Sequence, residues 1–212
     1  MHITNMVFDM SKIKWVTLFF ISVSFSCSDS TSISELESLR FDQSMGCYWK
    51  YNNPGLGTYN NSNSYTTKEI IGTDTLINGE VVTKSRSINI DPTRLDTSIY
   101  YSLNAFKNDG YYSYQDFWDT TGTLLIRFPL HEGDTWISNE NTFTVLSLNE
   151  DFDNYKNCVK IESNDNAYGD GWLKYFSYWK DGVGLVRSEG RIERDQMSLT
   201  MTYAILLEHG KK

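Results

Sequence analysis

The sequence predicts a mainly β protein: a single antiparallel meander of about ten to twelve strands forming a curved sheet or open barrel, with room for a short N-terminal helix. Three observations predict it. From Cys47 onward apolar and polar residues alternate with period two, in runs rich in Tyr, Thr, Val and Ile, which is how a half-buried strand reads. Short turn signals built on Gly, Asn and Asp separate the runs. The 212 residues include three prolines, all outside the centres of the runs, so long strands keep their ladder hydrogen bonds.

Taken in order, residues 28–34 are Ser-rich and read as a tether. Ser32 with Glu35 three positions later fits a capping box, and Ile33, Leu36, Leu39 and Arg40 then fall on a short helix. Strands follow at 47–51, 64–75, 81–90, 98–106, 111–117, 123–128, 135–138, 143–148, 155–163, 172–179, 185–187 and 197–207. Pro54-Gly55, Asn78-Gly79, Asn108-Asp109-Gly110, Thr121-Gly122, Gly169-Asp170-Gly171 and Asp181-Gly182 supply turns between them. Asn78-Gly79 between two alternating runs is a strong hairpin mark. The last strand is the cleanest: Met197, Leu199, Met201, Tyr203, Ile205 and Leu207 share one face, and Ser198, Thr200, Thr202 and Ala204 the other. One face is expected in the core and one in water. No internal repeat of solenoid or propeller period is visible.

Upstream of the strands lies an export signal. Lys12 and Lys14 precede an apolar run over 15–25, and small residues stand at Ser24 and Ser26 before Cys27, the order of a cleaved secretory segment. Asp9 is out of place in such a signal, so Met10 is read as the start. The run is too short for the roughly 20 residues of a spanning helix. The expected organisation is a signal peptide over 1–26, a polar tether over 27–44 and a β-sheet domain over 45–209. Ser24-Phe25-Ser26-Cys27 resembles the lipobox of bacterial lipoproteins, although Leu is usual where Ser24 stands. The resemblance implies acyl chains such as palmitate on Cys27, the membrane as partner, and anchorage in the bacterial outer membrane on its periplasmic or surface face. The polar stretch Ser28-Asp29-Ser30-Thr31-Ser32 agrees with it. Each buried methylene contributes about 0.8 kcal/mol, so two or three chains hold a protein permanently. Ordinary signal peptidase also accepts Ser24 and Ser26 and leaves a secreted protein, which stays open as the alternative.

The formal net charge is −8, and removing Lys12, Lys14 and Asp9 with the signal leaves the remainder more acidic. Such a surface repels phosphate, and nucleic acid is not expected as a partner. With Cys27 acylated, Cys47 and Cys158 remain as an even pair in an oxidising compartment. A disulfide between them closes a long loop, worth about 4–5 kcal/mol in the chain-entropy model; two separate buried thiols are the alternative. Cys158 shares a strand face with Lys160 and Glu162, which places it off the main core.

A second resemblance covers residues 128–187. Phe128-Pro129-Leu130-His131-Glu132-Gly133-Asp134-Thr135-Trp136 resembles the FPL-x-x-GD-x-W phrase of Bacteroidetes-type envelope lipoproteins of uncharacterised role. In these an NC-x-K-I element, here Asn157 to Ile161, leads to an aromatic strand and W-x-x-GVGLV, here Trp179 to Val186. The resemblance implies a curved antiparallel sheet or open barrel similar in shape to lipoprotein carrier domains. It brings no known catalytic residue.

His131 sits beside Glu132 and Asp134, and His209 lies in the tail; neither has a second His or Cys partner in the sequence, and no G-x-S-x-G elbow exists. The acidic stretches at 150–153 and 165–170 do not fit an EF-hand loop. No catalytic residue, metal or cofactor is therefore expected, and the protein is read as a non-enzyme. Aromatic residues make up 15% of the chain, with 14 Tyr. Trp172, Phe176 and Tyr178 share one strand face, and Leu173, Tyr175 and Trp179 the other. Trp172, Phe176, Tyr178 and Trp136 are the candidates to face a small apolar or glycan ligand. The plainer reading is that Tyr and Trp suit half-buried strands. The function expected is a lipid-anchored, non-enzymatic binding or carrier module; the alternative is a structural or adaptor protein that docks a partner protein.

Overall fold

Fourteen strands in chain order build the fold: β1 (Glu35–Leu36), β2 (Cys47–Asn52), β3 (Tyr65–Thr75), β4 (Val81–Asp91), β5 (Asp96–Lys107), β6 (Gly110–Tyr114), β7 (Thr123–Arg127), β8 (Leu130–His131), β9 (Thr135–Ser138), β10 (Asn141–Phe152), β11 (Tyr155–Asp165), β12 (Leu173–Lys180), β13 (Gly184–Arg194) and β14 (Met197–Lys211). They come from a computed structural model that describes residues 35–54, 64–91, 96–165, 173–194 and 197–212. Twelve of the strands form one antiparallel sheet in the order β7-β6-β5-β4-β3-β2-β14-β13-β12-β11-β10-β9. Each of the twelve expected runs corresponds to one of these strands.

The order describes two meanders, β2 to β7 and β9 to β14, joined where the first and last long strands pair, from Cys47↔Lys211 to Asn52↔Ile205. The sheet then curls until its two edges meet. Leu124 of β7 donates its backbone N–H to Ser138 Oγ at 2.7 Å. The Trp136 indole donates to the Leu124 carbonyl at 2.9 Å. Side chains of β9 thus bridge to β7 at Leu124, and the sheet becomes a nearly closed barrel.

Among the described residues there is no helix, which corrects the expected N-terminal turns. The segment from Glu35 runs extended: β1 pairs with β8 through Glu35↔His131 and Leu36↔Leu130. Leu39 is fully buried, and the Phe41 ring packs among Trp49, Phe106, Tyr111 and Trp179. The backbone is fixed as well, since Arg40 N–H donates to Asp181 and Gly182 N–H donates to the Arg40 carbonyl. Tertiary burial of this kind overrides a short capping signal. Residues 35–44, read as tether, are therefore part of the fold, and β14 continues past His209 to Lys211.

The strands bend at bulges, and these decide which side chains face inward. On β14 the register slips between Thr202 and Ala204 opposite Ser188 and Glu189. A slip of one residue exchanges the faces. Met201 is buried, but beyond the slip Leu206 is buried while Tyr203 and Leu207 are exposed, so the single apolar face expected for 197–207 is split between inside and outside. The Asn78-Gly79 hairpin is present between β3 and β4. Gly79 alone is left-handed there, at φ 86°, and its N–H closes on the Leu76 carbonyl, a longer loop than a two-residue turn with both residues left-handed.

The main core lies toward the end of the barrel entered by the N-terminal arm, where Leu39, Ile126, Leu130, Trp136, Phe143, Val145, Val159 and Ile161 pack together. A second cluster joins Cys47, Trp49, Tyr51 and Ile70 to Cys158, Phe176, Tyr178, Val186 and Leu206. Cys158 is fully buried, against the expectation from Lys160 and Glu162. Asn157 adopts a left-handed φ of 55°, and the β10–β11 pairing shifts between Ser147, Glu150 and Phe152. Phe152 and Tyr155 of the hairpin then pack against the same cluster, and the alternation that placed Cys158 at the surface fails.

Candidate functional site

The inner face of β2 and β3 carries Trp49, Tyr51, Thr66, Lys68 and Ile70, which alternate along their strands and lie opposite one another in the pairs Trp49↔Lys68 and Tyr51↔Thr66. With Phe41 and Gln43 of the arm, Asn53, Asn104, Tyr111, Trp179, Leu185 and Ala204, they line a cavity of about 190 Å³. The barrel is therefore not packed shut, although its neighbouring end is.

The aromatic wall is held by hydrogen bonds that run from β2 past β14. Trp49 Nε1 donates to the Val183 carbonyl at 2.6 Å, and Tyr51 Oη donates to the Leu185 carbonyl at 3.1 Å. Both link β2 to the start of β13, far along the chain. Trp179 Nε1 donates to Ser177 Oγ at 2.9 Å, which fixes its ring beside Phe41. Burial pushes the Tyr51 and Tyr111 hydroxyls well above the usual phenol range, so both remain neutral. Gly184, at φ 101°, leaves room for the Phe41 ring, which a Cβ there would meet at 3.3 Å.

Polar groups occupy the rest of the wall and are mostly engaged with one another. Asn53 Nδ2 donates to Thr66 Oγ1 at 2.6 Å. Gln43 accepts from Thr83 at 3.2 Å and hydrogen-bonds Tyr111. Asn104 Nδ2 donates to Ser102 Oγ at 3.4 Å. Lys68 is different. It carries the one charged side chain among the described lining residues, and among the described residues its ammonium has no hydrogen-bond or ion-pair partner. The residue is half-buried against the cavity, and burial lowers its pKa from 10.5 to about 8.

The residues singled out from sequence fall elsewhere. Phe176 and Tyr178 are buried in the cluster that holds Cys158 and Val186, beneath Lys160 and, for Tyr178, Arg187, and neither lines the cavity. Trp136 stacks on Phe143 at 5.3 Å in the packed core. Trp172 and Cys27 lie outside the described residues. Cys47 and Cys158 are free thiols, both buried in one cluster. His131 is held between Glu35 at 3.3 Å and Asp134 at 3.1 Å, where it pins β1 to β8. His209 is exposed on β14, and neither histidine lines the cavity. Of the stretch at 150–153, Glu150 pairs with Lys160 and Asp151 with Lys156. The cavity residues Trp49, Tyr51 and Lys68 drew no attention in the sequence because half-buried strands carry such residues routinely; Trp179 was assigned to the face away from the ligand. A Lys at an inward position between Thr66 and Ile70 was the available signal.

Among the described residues the arrangement holds no nucleophile beside a base and no cluster of acids. What it offers chemically is an aromatic-walled space with one cation, Lys68, unpaired among the described residues. Comparison of the chain with protein-family models, curated proteins and solved structures finds no match, so a functional reading has to stand on this geometry.

Proposed function

We propose that this chain is a lipid-anchored envelope protein that binds or carries a small apolar ligand without acting on it. The observation that carries the reading is the cavity of about 190 Å³ walled by Phe41, Trp49, Tyr51, Tyr111 and Trp179. A void of about 150 Å³ lined by apolar side chains is enough to take benzene, and a scaffold protein has no use for such a space in an otherwise packed barrel. The anchor on Cys27 rests on the lipobox-like tetrapeptide, with the outer membrane as the site. Mass spectrometry of the chain purified from its own cells, native and then denatured, tests both parts. Acyl mass on Cys27 persists through denaturation, whereas a carried ligand is lost; a clean apo mass in the native spectrum refutes the carrier reading.

One observation favours the adaptor reading. Phe117 and Trp118, with ring centroids 4.7 Å apart, are 48% and 61% exposed on the β6–β7 connection. Phe117 borders an open groove shared with Tyr101, Asp74 and Lys84. Exposed paired aromatics suit a protein contact, and cross-linking through this groove distinguishes docking from carriage.

A further inference from the structure

We infer that the cavity selects small apolar carboxylic acids, a single aromatic ring or short acyl body bearing one carboxylate, and that Lys68 is the residue that pairs with the carboxylate. The inference rests on the binding-module reading and deepens it.

Lys68 is placed for this and for nothing else evident in the fold. It projects from the middle of β3 between Trp49 on one side and Ser87 on the other. The acids on its own strand are engaged elsewhere: Glu69 pairs with Arg86 and Lys212, and Asp74 with Lys84. No Asp or Glu is among the described residues that line the cavity. An ammonium taken out of water without a partner is strongly unfavourable, and the usual remedy is an anion with good geometry. The lowered pKa of Lys68 is the same fact seen from the proton. A ligand that brings a carboxylate removes the penalty and restores the charge.

The rest of the wall selects the body. Aromatic faces and Ile70, Leu185 and Ala204 suit an apolar group, and the volume limits it to about one ring with a short side chain. A sugar needs many free donors and acceptors, but Asn53 and Thr66 bond each other and Gln43 is engaged by Thr83 and Tyr111. A cationic ligand meets Lys68 with like charge. Inorganic phosphate finds one cation among the described lining residues, where a tight phosphate site needs several donors.

The pH dependence follows from the titratable groups that face Lys68. In the lining these are Tyr51 and Tyr111, both shifted upward and neutral throughout. Acid binding is therefore strongest below about pH 8 and weakens as Lys68 loses its proton, with proton uptake on binding near and above that pH.

Phenylacetate and its neutral counterpart 2-phenylethanol are titrated into the full chain, with Trp49 and Trp179 as fluorescent reporters in the wall. At about pH 7 phenylacetate is expected to bind at least about tenfold tighter, a difference that disappears by about pH 10. Lys68→Met should remove the preference and leave 2-phenylethanol unchanged or tighter, while Lys68→Arg should keep it. Equal binding of the two probes, unaffected by Lys68→Met, overturns the acid inference and leaves the apolar-carrier reading standing. Phosphate binding as tightly as phenylacetate also overturns it, because the apolar wall would then contribute nothing. Failure of both probes overturns it as well, and the native mass spectrum then decides separately whether anything is carried.

Discussion

The Phe41 and Trp179 rings lie stacked, with centroids 6.0 Å apart and planes 23° apart. One comes from the arm ahead of the sheet and the other from β12. Phe41 is thereby both the plug between cavity and core and a part of the cavity wall. An arm that ends inside the barrel also explains why a stretch resembling a tether belongs to the folded unit.

Phe41→Ala removes a ring with aromatic neighbours on several sides. It should destabilise the protein by about 3–5 kcal/mol, the range for Phe truncation in cores. Urea denaturation monitored by tryptophan fluorescence measures the loss. A change under about 1 kcal/mol would mean that the arm is not docked as described. The variant also joins the cavity to the space vacated by the ring, so a larger apolar probe should enter it than enters the parent protein.

Gly110 is needed for closeness, not for an unusual φ. A Cβ built on it collides with the Ile126 backbone carbonyl and with the Leu124 side chain, at the bulge where β6 pairs with β7. Backbone cannot give way as a flexible side chain does, so Gly110→Ala should cost about 2–4 kcal/mol. Gly79 provides the contrast. It has a φ of 86° and nothing within reach of a Cβ, so Gly79→Ala should cost only the left-handed penalty, about 1–2 kcal/mol. Parallel denaturation curves compare them, and equal losses would refute the assigned collision.

The strands were legible because alternation and turn residues are local properties, and β3, β4 and β5 were read with ends within a few residues. The turn at Asn139-Glu140 was not, since both residues are left-handed at φ 50° and 66° and Glu is not a residue that advertises such a conformation. β13 was read as three residues because Ser188, Glu189, Gly190 and Arg191 look like a loop; Tyr203 covers Gly190 from the neighbouring strand, and pairing on both sides holds it in the sheet. The site was less legible still. Inward and outward faces depend on bulges such as the one near Ala204, which depend on partners distant in sequence. Lys68 becomes informative only when no acid is found to face it.

Ser138 tests the closure of the barrel. Its hydroxyl accepts the Leu124 N–H at 2.7 Å, at the seam where β7 and β9 come together through side chains. Ser138→Ala leaves that partly buried N–H without its acceptor and should cost about 1–2 kcal/mol. Amide exchange gives the sharper readout: the Leu124 amide should lose protection while Ile161, in the middle of the β10–β11–β12 ladder, keeps it. Unchanged protection at Leu124 would show that the edges are held by something other than Ser138.

Lys68 makes stability depend on pH in a direction opposite to that of a salt-bridged lysine. Its pKa falls from 10.5 in the reference state to about 8 in the fold, so between those values the unfolded chain holds more protons and stability rises with pH. The destabilisation is fully present below about pH 8 and amounts to about 3 kcal/mol. Other groups work against the rise: burial pushes Cys158, Tyr51 and Tyr111 upward, so each favours unfolding once its free counterpart ionises. The difference between the parent and Lys68→Met isolates the lysine, because those groups are common to both. Lys68→Met should be more stable by about 2–3 kcal/mol at neutral pH, with the gap narrowing as pH climbs from about 8 toward 10. A gap that is absent at neutral pH, or that widens with pH, would mean that the ammonium is solvated or paired, and the acid-binding inference would lose its cation.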